Sequence, residues 1–129
     1  MFPPHLKPLD AGIHFNHPLV ADAFPSSLTK LDLGRDFNHS IPINTLPPHL
    51  EHLSIEGSVN YPLVVGSLPS SLKTLDLRTM NYAIPPGVIP QSLASLLIRS
   101  GFNFALTGVF PVNSALKHFE SGFYSIKHQ

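Results

Sequence analysis

The strongest constraint on this chain is a proline that returns at a fixed interval. Prolines 3, 25, 47, 69, 90 and 111 lie 22, 22, 22, 21 and 21 residues apart. Proline lacks a backbone N–H and fixes φ, so it breaks helix interiors and is excluded from central strands. The chain carries 14 prolines in 129 residues, about twice the usual ~5%. Long helices cannot survive that density, but short extended segments between the prolines can. Each of these prolines opens the same phrase. Phe24-Pro25-Ser26-Ser27-Leu28-Thr29-Lys30-Leu31-Asp32-Leu33 is the clearest copy, and those beginning Leu46-Pro47, Leu68-Pro69 and Ile89-Pro90 all continue as Leu-x-x-Leu-x-(Leu/Ile). A poorer copy opens at Phe2-Pro3, and a stretched one runs from Phe110-Pro111 to Leu116 and Phe119. Between them recurs an aromatic or aliphatic residue followed by asparagine: Phe15-Asn16, Phe37-Asn38, Val59-Asn60, Met80-Asn81 and Phe102-Asn103. These asparagines are spaced 22, 22, 21 and 22 residues apart, and three residues beyond each stands Leu19, Ile41, Leu63, Ile84 or Leu106. Two signatures sharing one period define a solenoid.

One repeat can be read physically. Leu31 and Leu33 alternate with Lys30, Asp32 and Gly34, the period of a short strand with one face buried. Successive copies pair in parallel about 4.8 Å apart, so six make a ladder about 25–30 Å long. A coil of 22 residues has no room for a crossover helix, and Pro18, Pro42, Pro62 and Pro85 make the return path extended or a short 3₁₀ turn. Phe15, Phe37, Val59, Met80 and Phe102 close the core. They are joined by the aliphatic column at Leu19 and by Phe24, Leu46, Leu68, Ile89 and Phe110. The expected class is therefore mostly β, a solenoid whose parallel ladder has about six short strands with irregular or 3₁₀ returns. Residues 1–121 form tandem repeats of 21–23 residues, and 122–129 form a capping tail. Asn16, Asn38, Asn60, Asn81 and Asn103 read as a buried structural column, since stacked amides both donate and accept.

The unit F-N-x-(P)-(I/L)…L-P-x-S-L-x-x-L-x-L resembles the FNIP repeat, a relative of the leucine-rich repeat. The likeness spans residues 2–121. It implies a leucine-rich-repeat-like solenoid used for protein interaction, sometimes with an F-box fused to the array, and it carries over no catalytic residue. The distance from Leu33 to Asn38 is longer than in the ordinary leucine-rich pattern, and no F-box segment is seen here.

Composition narrows the function further. Eight basic and eight acidic side chains balance, which removes the electrostatic case for nucleic acid or an anionic membrane as partner. The absence of cysteine excludes disulfide scaffolds, thiolate metal sites and thiol nucleophiles. It fits a cytoplasmic location. No apolar run approaches the ~20 residues of a membrane span, and the opening residues lack the blocks of a signal peptide.

The outward strand positions form columns. One runs Pro8, Lys30, His52, Thr74, Ser95, His118, and the next Asp10, Asp32, Ser54, Asp76, Leu97, Glu120. A flanking column runs Gly12, Gly34, Glu56, Arg78, Arg99, Gly122. The candidate partner-binding face is Lys30, Asp32, His52, Glu56, Thr74, Asp76, Arg78 and Arg99, because a rigid grid of side chains suits protein recognition. His17 and His39 share a phase with Tyr61, Tyr82 and Phe104, so they read as a stacked ring column. They supply two ligands at best, short of the three or four that zinc requires. Asp32 and Asp76 stand two coils apart, about 10 Å, too far for a close carboxylate dyad and at the edge of the inverting-glycosidase spacing. There is no glycine-rich phosphate loop. No cofactor, metal or enzymatic activity is expected. The function indicated is a non-catalytic scaffold for an unidentified protein partner, the alternative being an array that recognises a repetitive ligand such as a polymer or ice. The grid mixes charge types where an ice or polymer binder needs uniform small residues. The first coil has no obvious cap, which raises end-to-end self-association or truncation of a longer array.

Overall fold

A computed structural model of the chain describes residues 8–10, 15–21, 23–80, 82–100, 109–110, 115–121 and 125–127. Its strands are β1 (Pro8–Asp10), β2 (Lys30–Leu33), β3 (His52–Val59), β4 (Thr74–Met80), β5 (Ser95–Ser100), β6 (His118–Ser121) and β7 (Ser125–Lys127). They form one sheet in sequential order. β1 to β6 pair in parallel, each strand one coil further along, as the six-copy phrase predicts. The seventh strand goes beyond the expected ladder. β7 turns back and pairs antiparallel with β6, setting Phe119 opposite Ile126, a pairing that breaks the 22-residue period and so leaves no trace in it.

The core follows the alternation. Leu31, Leu33, Leu53, Ile55, Leu75, Leu77, Leu96 and Ile98 are buried on the inner face of β2 to β5. Leu28, Leu50, Leu72 and Leu93 are wholly buried one step before each strand. The return path contributes Leu19, Ile41, Leu63 and Ile84, with Phe24, Leu46, Leu68 and Ile89 behind them. Phe37, Val59 and Met80 close the interior, and Phe15 and Phe110 pack half-buried against it. Phe102 and Leu106 lie outside the described residues.

Four of the recurring prolines, Pro25, Pro47, Pro69 and Pro90, each start a turn. The N–H of Leu28, Leu50, Leu72 and Leu93 donates to the carbonyl of Pro25, Pro47, Pro69 and Pro90 at 3.1, 3.2, 3.1 and 3.1 Å. The return segments carry single hydrogen-bonded turns, so the expected 3₁₀ geometry reduces to i→i+3 bonds among the described residues. A second turn recurs at Val64–Ser67 and Pro85–Val88. Its third residue has positive φ, 90° at Gly66 and 86° at Gly87, with Asn44 at 61° in the same phase of the preceding coil. That conformation costs an ordinary side chain energy and is reached most readily by glycine and asparagine.

One irregularity interrupts the ladder. Ile55 pairs with Leu77, but Ser58 pairs with Thr79, so β3 holds one more residue than β4 across this stretch. A bulge at Glu56–Gly57 opposite Arg78 absorbs it. The sequence marks this place by the shortened 21-residue interval between Asn60 and Asn81.

Candidate partner-binding face

The outward face of the sheet is set by strand register. Lys30, His52, Thr74, Ser95 and His118 are successive partners along one row, and Asp32, Ser54, Asp76, Leu97 and Glu120 along the next. On β2 to β5 these side chains share a face because the residues between them point into the core. Lys30, Asp32, His52, Ser54, Thr74, Asp76, Ser95 and Leu97 line a shallow groove of about 590 Å³ running across β2 to β5. Lys30 and His52 are exposed, while Asp32, Thr74 and Asp76 are half-buried in the groove. The His52 ring nitrogen Nδ1 and Thr74 Oγ1 are hydrogen-bonded across neighbouring strands.

The third row does not continue in strict register. The bulge puts Glu56 and Gly57 against Arg78, and Glu56, Asp76 and Arg78 line a smaller recess of about 80 Å³ beside the main groove. Glu56 and Arg78 are both exposed. Arg99 lies on β5, and its side chain falls outside the described set. The bulge is positioned by packing behind the sheet. A β-carbon on Gly57 would stand 2.7 Å from the carbonyl oxygens of both Arg35 and Phe37, so only glycine lets β3 approach the previous coil there. At the rim, Lys73 and Glu51 form an exposed ion pair at 3.7 Å, of a kind that contributes little to stability.

The asparagine column requires correction. The sequence reading buries it, whereas Asn16, Asn38 and Asn60 are exposed. The preceding residue of each pair, Phe37 or Val59, takes the buried position and turns its asparagine outward. The amides still connect coils at the surface. The backbone N–H of Asn38 donates to Asn16 Oδ1 at 3.0 Å, and Asn60 Nδ2 donates to Asn38 Oδ1 at 3.1 Å. Asn81 and Asn103 lie outside the described residues.

The ring column also differs from the reading. Phe15 and Phe37 stack between neighbouring coils at 5.9 Å. His17 and His39 lean on the phenylalanine of their own coil, at 5.5 and 5.8 Å. His39 Nε2 lies 3.3 Å from the Asn16 carbonyl oxygen. Tyr61 and Tyr82 are exposed further along, and Phe104 lies outside the described residues. No group of three or more metal-ligating side chains converges among the described residues, and none of their helices is long and apolar enough to cross a membrane.

Two structural serines escape the sequence reading. Ser71 Oγ donates to the carbonyls of Leu50 and Pro48 at 2.6 and 3.0 Å, and Ser92 Oγ donates to Leu72 at 2.6 Å. The signal was present in the repeated P-x-S-L phrase, where serine looks like ordinary turn chemistry rather than an inter-coil bond.

Comparisons with known proteins agree with this architecture. The chain is similar to CroV588, whose crystal structure is described as a novel circular LRR protein, with 35% identity and a TM-score of 0.88. The match covers 95% of this chain and 18% of that one, so the chain spans under a fifth of its length. No curated protein matches the sequence. The FNIP Repeat model matches residues 1–36, 15–58, 37–78 and 59–101. With proline-led turns, parallel strands and outward asparagines recurring across that span, the chain belongs to the FNIP repeat family.

Proposed function

We propose that this chain is a non-catalytic, cytoplasmic interaction scaffold that holds a protein partner on the outward face of its sheet. The observation that carries this reading is the groove across β2 to β5, with Lys30, Asp32, His52, Thr74 and Asp76 along it. Concave, rigid and chemically mixed surfaces suit a heterogeneous protein partner. A repetitive ligand such as ice or a polymer calls for the same small residue at every grid point, and the rows here change residue type from coil to coil. Where an F-box segment is fused to such an array, the groove would act as the substrate-receptor arm.

Affinity capture from a cell lysate followed by substitution tests the reading. Asp32→Asn with Asp76→Asn, or Arg78→Glu with Arg99→Glu, should release a captured protein while the urea midpoint stays within error. Retention by both variants, with loss on Tyr61→Ala, would move the site to the return edge and sink the assignment.

A further inference from the structure

The return edge carries a second surface, independent of the strand face. Among the described residues, six large apolar side chains are conspicuously exposed: Val20, Ile43, Tyr61, Val64, Val65 and Tyr82. All six lie on the return path, and none on the sheet. Val65 shares its phase with Ile43 and Tyr82 with Tyr61 in neighbouring coils, and Val64 repeats the phase of Val20 two coils on, with Pro42 between them, so they line one edge of the array rather than scattered spots. The tight turn displays Ile43 and Val65. Its positive-φ residue, Asn44, Gly66 or Gly87, directs the residue before it out to solvent. The rows are also knitted together. A β-carbon on Gly66 would lie 3.3 Å from Ile43 Cγ2, and one on Gly87 would lie 3.5 Å from Val65 Cγ2. Ile43 and Val65 therefore each lean over the bare glycine of the next coil. From the coil of Ile43 onward the surroundings carry no charge: residues 37–50, 58–72 and 79–98 contain no Asp, Glu, Lys or Arg, whereas Asp22 stands two residues from Val20 in the coil before.

We propose that this ridge is a lateral self-association surface, on which a second copy of the chain packs its own ridge. Charge matching favours this occupant. The uncharged part of this edge, from the coil of Ile43 onward, offers nothing to a charged partner, yet two copies of it meet without like-charge repulsion. Pitch favours it too. Ile43 and Val65, and likewise Tyr61 and Tyr82, stand one coil apart, about 4.8 Å, and a second copy has the same spacing, so side chains of one fit between those of the other there. Six partly exposed side chains bury well below the roughly 800 Å² per partner of a stable complex. The contact is therefore weak in a chain of this length, and it strengthens with each coil added.

Sedimentation equilibrium of the whole chain tests it, with Val65→Lys and Val65→Asp as variants. Val65 is 63% exposed, so both should fold, which an unchanged urea midpoint would verify. Wild type should associate reversibly in the high micromolar range, more strongly in sulfate, which reinforces apolar burial. Each variant alone should be at least 10-fold weaker, and an equimolar mixture of the two should regain most of the association. Wild type that stays monomeric to about 1 mM overturns the proposal. Association unchanged in Val65→Lys also overturns it and assigns the contact to the open edge at β1. Flotation of monomeric wild type with phosphatidylcholine vesicles would give the ridge to a bilayer instead, with the same consequence.

Discussion

Asn60 hands its side-chain amide to Asn38: Nδ2 of the one donates to Oδ1 of the other across neighbouring coils at 3.1 Å. Both side chains are exposed, and that decides the size of their contribution. Water replaces a surface partner when it is removed, so Asn38→Ala should cost about 0.5–1.5 kcal/mol rather than the full penalty of a buried orphan. Asn16→Ala should cost a similar amount, because Asn16 Oδ1 accepts the backbone N–H of Asn38. Urea unfolding of the two variants measures this. A loss above about 3 kcal/mol would mean that the amides are buried after all.

Gly57 meets a harder limit. The added methyl of Gly57→Ala would stand 2.7 Å from two backbone carbonyl oxygens, which no rotamer change relieves. The strand must shift, and overpacking of this kind costs about 1–3 kcal/mol. Gly66→Ala is strained differently, through φ of 90°, and should lose about 1–2 kcal/mol. Gly66→Asn should recover part of that loss, because Asn44 already holds the same phase with positive φ. Thermal unfolding of the three variants ranks them. If Gly57→Ala matched wild type, the bulge would be mobile enough to release the contact.

Much of this fold was legible because a solenoid repeats its evidence. The prolines and asparagines set the period, and the alternation through Leu31 and Leu33 set both register and inner face. What a single coil decides is less visible. Pattern alone places Asn38 inside with Phe37, since adjacent residues in a repeated pair appear equally constrained. Only the geometry of the turn sends one in and the other out. The β3 bulge hides in a single missing residue between Asn60 and Asn81. β7 is antiparallel and occurs once, so periodicity cannot reveal it. The binding face was legible as rows of residues. The groove and the His52–Thr74 contact depend on side-chain directions that a period does not encode.

Thr45 and Ser67 occupy one phase but differ in their bonding. Thr45 Oγ1 donates to the Pro42 carbonyl at 2.7 Å, whereas the Ser67 hydroxyl is buried with no hydrogen-bond partner. Thr45→Ala should therefore destabilise by about 1 kcal/mol. Ser67→Ala removes an unsatisfied group and should be neutral or slightly stabilising. Equal losses at the two positions would show that Ser67 Oγ reaches the Val64 carbonyl in solution, as Thr45 reaches Pro42.

The groove yields the last prediction, which separates energy from steering. Asp76 is half-buried among Thr74, Ser54 and Leu97, while Lys30 stands exposed at the groove's edge. A partner that covers the groove desolvates Asp76 and leaves Lys30 in contact with water. Removing a desolvated charged contact costs about 2–5 kcal/mol of affinity and acts on dissociation. A rim charge acts mainly on the association rate and is screened by salt. Asp76→Asn should accordingly raise the dissociation rate by at least 10-fold, with little dependence on ionic strength. Lys30→Ala should change the association rate by a few-fold at 50 mM salt and have almost no effect at 500 mM. Surface plasmon resonance with the captured partner reads both rates directly. If Lys30→Ala gave the larger, salt-insensitive effect, the partner would seat over the β2 end rather than the groove centre, and the hot spot would shift from Asp76 to Lys30.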